Sequence, residues 1–324
     1  MTEQSEIKDI TMNLRKLVLP LALLISATNV AHAADVAVIL KSLSDPFFLS
    51  IKKGIEDESK RLDVSVDFFA PASDADPQGQ LRLVEDAINK GYKGIALAPT
   101  SPVSLVRAIA KANQKGIYVV NVDEKVDIPQ LRSVGGSIIG YTGTDNVLLG
   151  EKAGNYIVKQ LGEVGGEVAI IEGKPGYFAS ETRTKGAMNI LSNVKNINVV
   201  TSQPGDWDRV KAMDVSANIL QRYPNLKAIY VVNDVMSLGV VQAVKNANKL
   251  DQVIVVGTDA APEARVSIKR GELNASLAQD PEAIGAKGLD MLVDAIRNKP
   301  KMDINAEPKF VPVNTYVVTR DGNI

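Results

Sequence analysis

The sequence predicts an α/β fold made of two similar lobes, each built around a doubly wound parallel sheet. Short β-branched runs alternate with amphipathic stretches of ten or more residues, which is typical of parallel strands joined by crossover helices. This alternation occurs twice along the chain, and the strand ends recur at similar intervals. The roughly 291 residues that follow a predicted leader are also enough for two domains.

The predicted strands are short apolar runs. Those of the first half span residues 36–40, 64–69, 94–98 and 117–122. Those of the second half span residues 167–171, 197–201, 227–232 and 253–257, and a shorter run covers 273–278. Because the ends of the two sets are spaced alike, we expect the second lobe to repeat the first.

We expect each lobe to combine segments that are distant in sequence. We also expect a hinge of several strands to join the two lobes. The stretch 131–144, rich in Gly and Ser, predicts the first crossing between lobes. The predicted N-terminal lobe comprises residues 34–137 plus about 280–308. The predicted C-terminal lobe comprises residues 138–279 plus about 309–324.

Residues 1–33 have the pattern of a secretory signal peptide. Two basic residues at 15–16 precede the apolar run 17–27, and Ala31-His32-Ala33 supplies small residues for cleavage. The run has about half of the roughly 20 residues that span a bilayer, which argues against a membrane anchor. Since residues 1–11 carry three acidic residues and one lysine, we predict that translation starts at Met12.

The composition excludes several classes of function. The 37 Lys and Arg balance 38 Asp and Glu, with no basic stripe for nucleic acid. The chain has no cysteine, and its one histidine, His32, lies in the leader. Catalytic triads with histidine, ordinary zinc sites and imidazole bases are therefore absent from the exported chain. We predict no enzyme activity, no metal and no cofactor.

Polar side chains follow the predicted strands, where open parallel sheets bind ligands. They are Lys41, Asn121 with Asp123, Asn233 with Asp234, Asp259, and Gln279. Carboxylates accept strong hydrogen bonds from hydroxyl groups, and amides both donate and accept, which favours a sugar. No Gly-rich loop with Lys-Ser/Thr follows a strand, which argues against a phosphate ligand.

Some of these residues also have structural interpretations. Phe47, Phe48 and Trp207 either stack on a sugar or fill a core. Asp45, Asp234 and Asp280 precede helical runs and suit helix N-caps. Arg183 is either a ligand-binding side chain or a solvated helix charge.

Several segments taken together resemble the ribose, galactose and allose group of periplasmic binding proteins, above all its allose-binding branch. They lie at residues 40–48, 52–58, 120–125, 165–174, 206–209 and 255–259. The resemblance implies a type I periplasmic binding fold. It also implies a monomeric periplasmic carrier that closes around an aldose, D-allose or a relative such as ribose. Such a carrier delivers the sugar to an ABC transporter permease and in some cases signals to a chemoreceptor.

The resemblance also assigns roles to individual positions. Those with hydrogen-bonding side chains are Lys41, Asp123, Arg183, Asn233, Asp259 and Gln279. Phe48 and Trp207, with Phe47, would sandwich the ring, and Lys41 with Glu124 favours the allose-type site. Asp45 stands where the family usually has Asn, and Tyr177-Phe178 replaces a small polar pair. Both departures bear on which sugar fits.

Three other functions remain open. A sugar-responsive repressor shares such a fold, but the leader occupies the place of its DNA-binding helices. A secreted glycosidase would use Asp123 and Asp259 as paired carboxylates about 5 to 10 Å apart. A carrier for a non-aldose, such as allulose, inositol or a furanose signal molecule, would have the same lobes.

Overall fold

A computed structural model describes residues 34–323; the predicted leader, with Met12 and His32, lies outside the described residues. In the first half, the elements are β1 (Val36–Ile39), α1 (Pro46–Leu62), β2 (Val66–Phe69), α2 (Pro77–Lys90), β3 (Gly94–Leu97), α3 (Val106–Gln114), β4 (Tyr118–Val122), α4 (Ile128–Ser133), β5 (Gly140–Thr144) and α5 (Asn146–Leu161). They continue with β6 (Gly166–Glu172), α6 (Phe178–Leu191), β7 (Ile197–Pro204), α7 (Arg209–Arg222), β8 (Leu226–Val231), α8 (Asp234–Asn246), β9 (Ile254–Asp259), α9 (Pro262–Lys269), β10 (Ala275–Ala278), α10 (Pro281–Asn298), β11 (Lys309–Val313), β12 (Tyr316–Thr319) and β13 (Gly322–Asn323).

The strands form two sheets, which confirms the two-lobed α/β fold. The first sheet has the order β2-β1-β3-β4-β5-β11, and the second has β7-β6-β8-β9-β10-β12-β13. The first five strands of each sheet thus follow the same 2-1-3-4-5 order. All pairs are parallel except those of β12 with β10 and with β13. The order reverses beside β1 and β6, where α/β sheets of this kind leave a crevice for a ligand.

Strand β1 shows why the runs are continuously apolar. Successive side chains point to opposite faces of a strand, and both faces of this sheet are covered by helices. Ala37 and Ile39 pack with α2 and α3 on one face. Val36 and Val38 pack with α1 and α10 on the other.

The sheets set the lobe boundaries. Because β5 and β11 both pair in the first sheet, the first lobe comprises residues 34–144 and 281–313, and the second comprises 145–280 and 316–323. The predicted boundaries at 137/138 and 308/309 are therefore several residues too early. The stretch 131–144 forms part of α4 and all of β5, and the first crossing follows it. Among residues 34–323, no helix combines the length and apolar character that crossing a membrane requires.

Candidate functional site

A cleft of about 1100 Å³ lies between the lobes at the carboxyl ends of both sheets. Its lining includes ten of the side chains for which the sequence predicted a ligand-binding role, whereas Asn121 is buried beneath it and bonds to the Leu97 carbonyl and the Val126 N–H. The ten are Lys41, Asp45, Phe47, Phe48, Asp123, Arg183, Trp207, Asn233, Asp259 and Gln279. The first five belong to the first lobe, the next four belong to the second, and Gln279 lies at the second crossing. Their proximity is structural fact, whereas their role in binding stays a prediction.

Lys41 and Glu124 form a buried ion pair in the first-lobe wall. Lys41 follows β1 and Glu124 follows β4, and Lys41 Nζ lies 3.4 Å from Glu124 Oε1. Both side chains are almost fully buried. Because an ammonium group excluded from water needs a partner, Glu124 stabilises Lys41 beside the cleft.

Asp123 presents a free acceptor to the cleft. Its backbone has a left-handed φ of 64°, and its N–H donates to the Thr142 carbonyl at 2.8 Å. The Tyr141 hydroxyl donates to its backbone carbonyl at 2.5 Å. Within residues 34–323, no hydrogen bond or ion pair engages its carboxylate. Burial raises the pKa of this carboxyl to about 7 and Glu124 adds to the rise, whereas Lys41 and Arg183 oppose it.

The first turn of α1 carries the aromatic pair. Asp45 is the N-cap, and its Oδ1 accepts from the Phe47 N–H at 2.7 Å, with Pro46 at the first helical position. The rings of Phe47 and Phe48 meet edge to face, with centroids 5.6 Å apart. Phe48 belongs to the first-lobe core and also lines the cleft, so the core interpretation is confirmed and stacking on a sugar stays a prediction.

Trp207 faces the cleft from the second lobe. The indole lies against Gly173, where an added Cβ would be 2.2 Å from the ring, so only glycine leaves room for it. Asp206 and Trp207 both have positive φ, at 55° and 65°. Left-handed backbone costs a non-glycine residue roughly 1 kcal/mol or more, and such strain concentrates at functional sites. Trp207 also packs against the second-lobe core.

Arg183 is buried rather than solvated, which excludes the alternative of a free helix charge. Its Nε donates to Asn146 Oδ1 at 2.8 Å, and its Nη1 donates to the Val232 carbonyl at 2.7 Å. Nη1 also lies 3.5 Å from Asp259 Oδ1. The guanidinium is therefore held in place before any ligand arrives. Sequence reasoning missed Asn146, whose only signal is its position after β5 at the first crossing.

Asp259 and Gln279 link the second lobe to the hinge. Gln279 Nε2 donates to Asp259 Oδ1 at 2.5 Å, and the Thr144 hydroxyl donates to Gln279 Oε1. Burial raises the pKa of Asp259 to about 6, against the opposing effects of Arg183 and Gln279. Thr144, which ends β5, was also missed by sequence reasoning. These bonds join the first two interlobe crossings through the floor of the cleft.

The capping residue of α8 is Asn233 and not Asp234. Asn233 is the N-cap of α8, since its Oδ1 accepts from the Met236 N–H at 3.0 Å. The expectation that Asp234 caps this helix is wrong. Asp234 is buried and accepts from Ser276 Oγ and from the Ala261 N–H at 2.8 Å. The Asn233 amide nitrogen has no partner within the described part of the chain and is available to a ligand.

The arrangement fits a neutral polyhydroxyl molecule. Acceptors and donors project from both walls, and aromatic rings face the cleft from both lobes. The cleft lining carries seven acidic side chains against three basic ones, so an anion would meet an excess of negative charge: Asp45, Asp74, Asp123, Glu124, Asp234, Asp259 and Glu282 with Lys41, Arg183 and Arg265. Flat rings cover the apolar faces of a sugar, while charged groups bond strongly to its hydroxyls.

Comparisons with known proteins agree with this geometry. The family model of the periplasmic binding protein domain matches residues 36–300. The D-allose-binding periplasmic protein of Escherichia coli K12 is 50% identical over 297 residues, covering 92% of this chain and 96% of that protein. The ribose import binding protein RbsB of Salmonella typhimurium LT2 is 35% identical over 284 residues, covering 86% and 92%. A periplasmic solute-binding protein of an ABC transporter from Actinobacillus succinogenes 130z, solved with bound D-allose, superposes with a TM-score of 0.80 at 30% identity, covering 88% and 97%.

Proposed function

We propose that this chain, which belongs to the family of periplasmic binding proteins, captures an aldose. The relatives compared above are solute-binding proteins of ABC transporters and not enzymes. D-allose is the first candidate, and a close relative such as ribose is the second. The observation that carries the proposal is the convergence of free polar groups and aromatic rings from both lobes on one cleft. The sugar-binding relatives support the same class of ligand.

Capture proceeds by hinge closure. Three short segments connect the lobes, at residues 145, 279–280 and 314–315, so bending them moves one lobe relative to the other. A sugar bound to Asp123 in the first lobe and to Arg183, Asn233 and Asp259 in the second stabilises the closed form, because only closure lets both walls contact it. The permease then recognises the adjoining rims of the two lobes.

A ligand screen tests the proposal. Trp207 is the only tryptophan, so its fluorescence reports on the cleft directly. Allose, ribose, galactose, allulose and inositol are titrated, and thermal unfolding is recorded with each. A ligand at 100 times its dissociation constant adds about 2.7 kcal/mol to the free energy of unfolding. We expect allose to give the largest shift; stabilisation by inositol alone would overturn the aldose proposal.

Asp45 bears on which hydroxyl pattern is bound. Its carboxylate already caps α1, so it offers a sugar an acceptor and no donor. We propose that Asp45, in place of the family's usual Asn, lowers the affinity for sugars whose hydroxyl group facing residue 45 must accept a hydrogen bond. Comparing allose and ribose affinities in Asp45→Asn with those of the unchanged protein tests it, since Asn restores a donor and keeps the cap.

Export and assembly belong to the same proposal. We propose a periplasmic location, with the leader 1–33 removed, and a monomeric carrier that serves a permease and in some settings a chemoreceptor. Mass spectrometry of the exported protein checks that it begins at Ala34. Size-exclusion chromatography with light scattering checks the monomer.

A further inference from the structure

Two aromatic residues at the start of α6 reach from the second lobe to the first. The Tyr177 hydroxyl donates to the Thr100 carbonyl at 2.8 Å, just past β3. The Tyr177 ring centroid lies 5.1 Å from Lys41 Nζ, and the Phe178 ring centroid lies 5.0 Å from Lys125 Nζ. All three partners belong to the first lobe, so each contact bridges the lobes without involving a sugar.

A tight turn presents Tyr177 to the other lobe. The Tyr177 N–H donates to the Lys174 carbonyl at 3.2 Å, closing a four-residue turn. Pro175 and Gly176 occupy its centre, and Gly176 has a φ of 81°, as a type II turn requires. The Tyr177 side chain does not cap α6, although the residue stands at the N-cap position. Its hydroxyl is thus free to bond across the cleft.

Tyr177 also completes the surroundings of Lys41. Within the first lobe the ammonium group contacts Glu124, at 3.4 Å, and lies 6.0 Å from the centroid of the Phe48 ring. The Tyr177 ring adds the closer aromatic face, and it does so from the opposite lobe. A cation against an aromatic face is attracted more strongly when both are shielded from water, and Lys41 is almost fully buried.

We infer that Tyr177 and Phe178 form an interlobe clasp that slows the release of a bound sugar. This inference rests on the proposed function and adds to it a positioning residue. The clasp contacts form as the lobes approach and must break before they separate. Tyr177 lines the cleft and holds Lys41 in place, whereas Phe178 lies outside the cleft lining and acts on closure alone.

Release kinetics of the purified protein separate these roles. Sugar dissociation is followed by stopped-flow Trp207 fluorescence for Tyr177→Phe, Tyr177→Ala and Phe178→Ala. Tyr177→Phe loses the hydrogen bond from the Tyr177 hydroxyl to the Thr100 carbonyl, which speeds sugar release about 2- to 10-fold. Loss of one cation–aromatic contact speeds it about 2- to 5-fold in Phe178→Ala. Tyr177→Ala, which loses both kinds of contact, has the largest effect.

Tyr223→Phe is the matched control, because the Tyr223 hydroxyl donates to the Val200 carbonyl inside the second lobe. It leaves the release rate unchanged. If Tyr177→Phe and Phe178→Ala release sugar as slowly as the unchanged protein, the inference that the clasp slows release is wrong. If the unchanged protein binds no aldose, the proposed function is wrong. Small-angle scattering of the ligand-free protein then still tests whether the clasp holds the lobes together. The ligand-free double variant Tyr177→Ala/Phe178→Ala must then show a larger radius of gyration, and an equal radius overturns the inference.

Discussion

The two lobes share one strand order but hold their polar groups differently. In the second lobe, Arg183 is fixed by Asn146 and the Val232 carbonyl, and Asp259 is fixed by Gln279. In the first lobe, the Asp123 carboxylate has no partner within residues 34–323. The second-lobe wall is therefore prebuilt around Arg183 and Asp259, whereas in the first-lobe wall Lys41 is paired with Glu124 and the Asp123 carboxylate waits for a ligand.

This difference separates binding from stability. A substitution in the prebuilt wall removes bonds that the ligand-free protein already makes, so it lowers stability as well as affinity. A substitution of Asp123 removes only a bond that the sugar would make. Substitutions at both walls test this contrast.

Arg183→Met should have the largest effect. It leaves Asp259 without its cation and strands two buried acceptors, and breaking a buried ion pair costs about 3 to 5 kcal/mol. We expect the free energy of unfolding, measured with denaturant, to fall by about 3 kcal/mol and sugar binding to be lost. Arg107→Met, on the exposed face of α3, is the control and should change neither. An Arg183→Met protein as stable as the control would show that this wall is not prebuilt.

The paired variants Asp123→Asn and Asp259→Asn compare the walls directly. Each loses a charged acceptor worth about 1.5 to 3 kcal/mol, so sugar affinity should fall about 10- to 150-fold in both. Only Asp259→Asn should also change the free energy of unfolding, because it removes the counter-charge of Arg183 from a network that the ligand-free protein already makes. Calorimetry and denaturant unfolding measure the two effects, with Asp251→Asn on an exposed turn as control. Equal changes in stability would remove the contrast between the lobes.

The pH dependence of stability should oppose that of binding. Burial raises the pKa of Asp123 to about 7 and that of Asp259 to about 6, above the ordinary 3.8. Between pH 4 and 7 the folded protein therefore holds more protons than the unfolded chain, and its stability falls as pH rises, by at most about 1.4 kcal/mol per pH unit for each carboxyl. Burial raises the pKa of Asp234 in the same direction.

Sugar affinity should instead rise from pH 5 to pH 8, because ionised carboxylates are the better acceptors. Thermal unfolding of the ligand-free protein and calorimetric titration at each pH measure the two trends. Asp123→Asn should flatten both. A ligand-free protein that becomes more stable between pH 5 and pH 7 would contradict the raised pKa values.

Trp207→Phe and Phe47→Leu should have the smallest effects. Each keeps an apolar side chain but reduces the flat surface, and aromatic contacts contribute about 0.5 to 1.5 kcal/mol beyond the area that they bury. We expect affinity to fall about 2- to 10-fold in calorimetry, with little change in melting temperature. Phe310→Leu, on an exposed ring outside the cleft, should leave affinity unchanged. Losses above 100-fold would mean that stacking outweighs the polar walls.

Much of the fold and the candidate site follows from patterns that are local in sequence. Continuous apolar runs predict strands covered on both faces, and their repetition predicts two similar sheets. Parallel strands place their carboxyl ends at one edge, so Asp123 and Asp259 could be assigned to the cleft from the sequence. The caps Asp45 and Asp280 were equally predictable, because a capping residue acts on the next three residues.

The sequence by itself thus determined that there are two lobes, which edge of each sheet carries the candidate site, and the absence of histidine and cysteine from the chain beyond residue 33. Only the tertiary structure decided that β5 and β11 join the first sheet, that Arg183 is paired and that Tyr177 reaches Thr100. The partners of Arg183 lie 37 and 49 residues away, and that of Tyr177 lies 77 residues away. Periodicity tells which face of a strand or helix is buried, but it does not tell which distant side chain will meet it. That choice depends on how two separately folded lobes pack across the cleft.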